Sequence, residues 1–320
     1  MTPRLDAVAA VVASRESAAV LEQTLHALAV AQPGVTRVDV LINGNPALAR
    51  DIAARLAAAI APHAAPGWWV WHHPLRDKAN ALNHYVHDIW PGGLAYFVDG
   101  YARVRPDALG RLHATLQAQP EAHAVAAVPS AGRTAARAAA IMLREGGLHG
   151  NLFGLRAQAL ARFREDRFRL PVGMYRVDAT MGSVLCFNFD PAAHPWDLKR
   201  RIAVDGAATW DVDAPAWWKP QTLRAHLQRR VRQAQGQVEN EAVRQWLAIE
   251  KRPPCELQAD VHALISAWQA RDPEGYQQRL QRQQLRAYAM RKLFAQPDTY
   301  PLAGQAYELV FEQPASEDQP

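Results

Sequence analysis

The stretch "LAYFVDGYARVRPDAL", residues 94 to 109, ends an apolar run abruptly on Asp99 and Gly100 and follows them with Tyr101. A carboxylate that terminates a buried strand can hold a divalent cation, and a glycine behind it lets a backbone or a phosphate come close. A second acid two residues on would make a metal-binding pair. Tyr101 stands there instead, and a phenol that titrates near ~10 is a poor ligand at neutral pH. Further on, Asp178 in "YRVDATMGSVL" separates an irregular stretch from a helical one. An aspartate there can cap the helix or, at hydrogen-bond distance from a hydroxyl, take its proton as a general base. Arg230 and Arg232 in "RRVRQAQG" have the planar, bidentate donor geometry that suits phosphate.

These side chains need a scaffold, and the first 130 residues alternate between two rhythms. "AVAAVVAS", "VDVLI", "GWWVWHH", "LAYFV" and "AHAVAAV" read as short buried strands. Between them, Ala18 to Ala31, "ALARDIAARLAAAIA", "KANALNHYVHDIW" and "PDALGRLHATLQAQ" read as helices, the last with Pro106 in its first turn. Strands that alternate with helices predict an α/β fold, with a mainly parallel sheet covered on both faces. Ligands of such sheets bind outside the carboxyl ends of the strands, the edge where Asn43, His72 and Asp99 are expected. Trp68, Trp69 and Trp71 read as strand core. Residues 171 to 218 read as irregular, the chain from Thr222 to Leu293 as helical and charged, and "PASEDQP" as a disordered tail.

The 320 residues have room for one large α/β domain with an extension, or for two modest domains. Two cysteines, Cys186 and Cys255, are too few for a disulfide framework, which points to a reducing, cytoplasmic setting. No apolar stretch is long enough to span a bilayer. A net charge of +5 suits nucleic acid, an anionic membrane surface or a phosphate-rich ligand. Neither a P-loop nor G-x-G-x-x-G occurs.

Five segments, in order, resemble the family 2 glycosyltransferases of the GT-A fold. "DKANALN", Asp77 to Asn83, is similar to a Gly-Lys-Ala-Asn-Ala-Leu-Asn segment of that family, and "YFVDGYARVRPDAL" to its strand ending in Asp-x-Asp before a helix. "GNLFGLRAQAL", "YRVDATMGSVL" and "RRVRQAQG" are similar to its small-residue strand, to its Asp-Asp or Glu-Asp helix start and to its Gln-Arg-x-Arg-Trp motif. The resemblance covers roughly residues 5 to 240. It implies a GT-A, Rossmann-like sheet, mainly parallel but mixed and flanked by helices, over residues 1–240, then a helical extension over 241–312 and a disordered tail over 313–320.

It also implies a transferase, of the hexosyltransferase type and inverting, that moves a sugar from a nucleotide-sugar donor to an acceptor hydroxyl. Asp178 would be the general base; Glu16, Asn43, Lys78, Asn83, Asp99, Arg230 and Arg232 would bind the donor; Asp99 would hold Mg²⁺ or Mn²⁺. The acceptor would be a glycan, a lipid-linked or a small molecule, with peripheral membrane contact for a lipid-linked one and no nucleic-acid partner. The chain departs from the family pattern at Arg15 before Glu16, at Asn43 for an acid, at Tyr101, at Val177 before Asp178, and at Arg229 and Gln233. With Tyr101 in place, the metal is held by Asp99, the diphosphate and water, or is partly replaced by arginines. The alternative is a degenerate GT-A domain that binds a nucleotide sugar or a partner protein without turnover.

Overall fold

The computed structural model describes residues 4–59, 66–132, 134–213, 220–296 and 302–314. The chain runs β1 (Ala7–Ala13), α1 (Ala18–Ala29), β2 (Arg37–Asn43), α2 (Pro46–Ala59), β3 (Gly67–His73), α3 (Lys78–His84), β4 (Leu94–Asp99), β5 (Arg103–Val104) and α4 (Ala108–Ala118). It continues through β6 (Ala124–Pro129), α5 (Ala135–Glu145), β7 (Leu152–Leu155), α6 (Ala157–Glu165), α7 (Val177–Cys186), α8 (Leu198–Arg201) and β8 (Ile202–Asp211). The remainder is α9 (Pro220–Arg244), α10 (Val261–Arg271), α11 (Pro273–Gln281), α12 (Gln284–Phe294) and β9 (Glu308–Gln313).

All of these strands join one nine-stranded sheet in the order β5-β8-β6-β7-β4-β1-β2-β3-β9. Its centre, β4-β1-β2-β3, is parallel, as the alternation of strands and helices predicts. Its flanks are mixed: β7 lies antiparallel to both β4 and β6, β8 parallel to β6 but antiparallel to β5, and β9 antiparallel to β3. The period of two along each strand splits the core between the two faces. On β1, Ala7, Ala9 and Val11 pack with Leu21, Leu25 and Leu28 of α1, Ile52 of α2 and Leu112 of α4. Val8 and Ala10 face the other way, into a core shared with Leu82, Leu160, Val184, Trp246 and Trp268. The register sets Val12 against Asp99 and Ile42 against His72, so the parallel strands end level along one edge.

Of the stretch 171 to 218, expected to be irregular, the described residues, 171–213, are more ordered than the sequence pattern predicts, and 214–218 lie outside the described residues. Residues 171–213 contain α7, α8 and β8, whose alternation is broken at Asp205 and Gly206, where the pairing with β6 shifts register. The helical stretch from α9 to α12 is as expected, but it leads into a strand. Residues 308 to 313, expected as the end of a helical extension and the start of a tail, form β9 against β3. The rest of the expected tail, 315–320, and the last residues of the expected second helix, Ile60 and Ala61, lie outside the described residues. Cys186 is buried, Cys255 is exposed, and both are unpaired. Among the described residues no helix is long and apolar enough to cross a membrane.

Candidate active site at the strand ends

β4 delivers Asp99 to the edge where the parallel strands end. Gly100 follows because β1 is close: a Cβ there would lie 2.8 Å from that of Ala13, and its N–H donates to the Val12 carbonyl at 2.9 Å. The close approach is therefore by backbone. Lys78 opens α3, whose N-cap is Asp77, and its ammonium donates to Asp99 Oδ1 and, at 3.3 Å, to the Gly150 carbonyl. The Tyr101 hydroxyl donates to Asp99 Oδ2 at 3.0 Å. Burial of that hydroxyl, then the adjacent carboxylate, pushes its pKa up, so it remains a donor throughout the physiological range.

Asp178 sits in the first turn of α7 rather than at its N-cap, which is Arg176. Its Oδ2 accepts from the Gly150 N–H at 3.0 Å, so Gly150 links the two acids: its carbonyl meets Lys78 on Asp99 and its N–H meets Asp178. His149, absent from the residues expected here, stands beside both. Burial lowers its pKa against the pull of Asp178 and Asp99, and its ring lies 4.9 Å from that of Trp210. The segment leading to Asp178 is anchored by two acids, the half-buried Asp77 and the buried Glu239. Asp77 takes the N–H groups of Asn80 at 2.7 Å and Gly173 at 2.9 Å, and burial raises its pKa to about 6. Glu239 takes those of Tyr175 and Arg176 at 2.9 and 3.3 Å and the Gln235 amide at 2.8 Å, and burial raises it to about 7.

A group of arginines converges on the same edge, although it is not the expected pair. Arg230 and Arg232 belong to a continuous helix, α9, on which residues two apart point roughly 200° away from each other. Arg230 is exposed. Arg232 lies over the Tyr175 ring at 5.6 Å, and its buried Nε has no hydrogen-bond partner. Gly236, one turn on, allows that approach, since a Cβ there would meet Arg176 Cγ at 2.8 Å. Arg229 shares the face of Arg232 at i,i+3, and its charge acts on Tyr101. Arg15 and Arg76 complete the group: burial, then the charges of Arg232 and Arg76, lower the pKa of the Arg15 guanidinium. "SRE" signals Arg15 as a departure from the family pattern; no motif marks Arg76.

Three expected donor-binding residues are engaged within the chain. Asn43 ends β2 but is buried, donating to the Ala13 and Leu41 carbonyls at 3.3 and 3.2 Å and accepting from the Tyr307 hydroxyl. Asn83 exchanges two hydrogen bonds with Leu170, at 2.8 and 2.9 Å, and so fixes the loop after α6. Glu16 folds back onto the N–H groups of Ser14 and Arg15 at 2.6 and 2.8 Å, which shapes the turn that presents Arg15. The metal expected at Asp99 does not fit this donor set. One carboxylate oxygen carries an ammonium, the other a phenol, and among the described residues no group of three or more His, Cys, Asp or Glu is arranged to hold a metal ion.

No protein-family model matches the chain, and no curated protein sequence matches it. Among solved structures it is similar to the mannosyltransferase PcManGT from Pyrobaculum calidifontis in complex with GDP-Man and Mn²⁺. The identity is 19%, the match covers 95% of this chain and 78% of that one, and the TM-score is 0.56. S. aureus TarS in complex with UDP is 10% identical over 83% of this chain and 71% of that one, with a TM-score of 0.49. At the first of these similarities the likeness is one of fold, and the fold is similar to that of the GT-A glycosyltransferases.

Proposed function

We propose that the chain is an inverting glycosyltransferase that moves a sugar from a nucleotide-sugar donor to an acceptor hydroxyl. The observation that carries the reading is the cluster of Arg15, Arg76 and Arg232 at the strand-end edge to which β4 also brings Asp99. Their mutual repulsion and the orphaned Nε of Arg232 call for an anion. A diphosphate leaving group supplies one and gains charge as the sugar–phosphate bond breaks, so fixed cations stabilise the transition state more than the ground state. Asp178 takes the proton of the attacking hydroxyl, and the electron pair of the broken bond leaves on the diphosphate. The fold shared with a protein that binds GDP-Man supports the donor class. The expected division into a transferase domain over 1–240 and an extension over 241–312 is retained here, with β9 returning the extension to the sheet.

A second reading, a domain that binds a nucleotide sugar without turnover, is favoured by Tyr101 and Val177 standing where acids are expected. Thermal melting with UDP, GDP, CDP and dTDP tests what the two readings share. One nucleotide at ~100 times its dissociation constant is expected to add about 2.7 kcal/mol of stability. Arg232→Ala is expected to weaken that nucleotide by ~1.5–3 kcal/mol, since it removes a charge-assisted contact. Flat curves with all four would reject both readings, and binding without sugar transfer would select the second.

A further inference from the structure

We infer that the Lys78 ammonium takes the position beside Asp99 that a divalent cation would take, so that this chain engages a diphosphate without a metal. The inference rests on the glycosyl-transfer reading for the identity of the ligand, but not for the state of Asp99.

The geometry around Lys78 is that of a built-in cation. α3 is fixed at its start by Asp77, which is anchored in turn by the N–H groups of Asn80 and Gly173. From that start the Lys78 side chain reaches across to Asp99 Oδ1 and the Gly150 carbonyl. An ammonium has three N–H donors and no acceptor. Two are used here, while the side chain keeps 28% of its exposure, so the third can meet a phosphate oxygen arriving from the open edge. A Mg²⁺ or Mn²⁺ ion at Asp99 would need oxygen ligands close to octahedral. It would have to compete with Lys78 at Oδ1 and Tyr101 at Oδ2, and would then stand next to the ammonium, at an edge that the arginines already make positive. One lysine carries less charge than a divalent ion, and Arg15, Arg76 and Arg232 supply the remainder at the same edge. Tyr101 then has a role that a second acid could not fill. It neutralises nothing, and its hydroxyl orients Asp99 so that Oδ1 faces Lys78.

The test pairs nucleotide binding with metal uptake. Binding of UDP, GDP, CDP and dTDP is measured in EDTA and in Mn²⁺, for the wild type, Lys78→Met and Lys78→Arg, and free Mn²⁺ is followed by electron spin resonance without nucleotide. The wild type is expected to bind its nucleotide equally, within a factor of about 3, in EDTA and in Mn²⁺. Lys78→Met keeps the length of the side chain and is expected to bind roughly 10- to 100-fold more weakly in EDTA, with Lys78→Arg recovering part of the loss. Wild-type binding that needs Mn²⁺ and disappears in EDTA overturns the inference. If no nucleotide binds under any condition, the glycosyl-transfer reading fails and Mn²⁺ uptake alone decides. No uptake by the wild type together with uptake by Lys78→Met supports the inference. Uptake by the wild type that Asp99→Asn abolishes, or no uptake by either chain, overturns it, because Lys78 would then be keeping nothing out.

Discussion

Asp178→Asn is expected to leave nucleotide affinity within a factor of about 3 and to lower sugar transfer by roughly 10² to 10⁴. The substitution isolates one property. Asn keeps the size of Asp and an acceptor oxygen, so the 3.0 Å hydrogen bond from the Gly150 N–H survives, but it cannot take a proton from an acceptor hydroxyl. The competing role for an aspartate at this place, a helix cap, does not match the geometry. Arg176 is the N-cap of α7, and the Asp178 side chain reaches across to Gly150 instead of back to its own helix. Even as a cap, Asn would serve equally well and nothing would change. Transfer rates and nucleotide dissociation constants, measured on the same preparation, separate the outcomes. Transfer at the wild-type rate in Asp178→Asn would remove Asp178 from the mechanism and leave the fold and the nucleotide site untouched.

Glu239 is expected to contribute a loss of stability as pH rises from about 4 to about 7, and Glu239→Gln is expected to remove that contribution. Glu239 is buried and its pKa is raised to about 7 by burial, with Asp77 raising it further, against about 4.3 in an unfolded chain. Between those two values the folded chain holds a proton that the unfolded chain has released. The contribution is therefore full below about pH 4 and is lost as pH rises through 7, on the order of 3 kcal/mol for this residue. Gln still accepts from Tyr175 and, with its neighbour Gln235 turned, retains the third contact. Denaturant midpoints at pH 5 and pH 8 check it: going from pH 5 to pH 8, the wild type is expected to lose stability relative to the variant. Equal differences in the two chains would mean that Glu239 does not titrate in this range. Because Glu239 holds Tyr175 and Arg176 just ahead of Asp178, the same titration bears on the order of the segment that leads to Asp178.

The parts of this arrangement that are legible in the sequence are those carried by local pattern. The strand–helix alternation specifies the parallel centre of the sheet, and with it the common edge of Asp99 and the end of β2. The segments around Lys78, Asp99 and Asp178 do come together, through Gly150. What escapes is carried by long-range contact. Arg15 and Arg76 follow different strands and gain meaning only because β1 and β3 end on the same side of the sheet as α9. Asn43 has the residue type and position of a ligand contact, yet Tyr307, from the far end of the chain, takes up its amide oxygen. Arg230 and Arg232 are equivalent in type, and only on an unbroken helix does their spacing decide which of them faces inward. β8 hides behind Asp205 and Gly206, which interrupt its alternation, and β9 behind the polar stretch around it.

β9 also bears on how the chain is made. β3 carries Trp68, Trp69 and Trp71 on a strand whose outer edge offers unpaired N–H and C=O groups until Glu308–Gln313 arrives. On the ribosome, nearly all the remaining sequence is synthesised between the two partners. Throughout that interval the growing polypeptide presents a tryptophan-rich edge to its neighbours, the kind of surface from which intermolecular sheets grow. The strand that finally covers it brings Glu308 and Glu312, both exposed, as the new border, replacing an adhesive edge with a charged one. Yield in the cell is therefore expected to depend on this late-made strand, and ending the chain before residue 308 is expected to appear first as inclusion bodies.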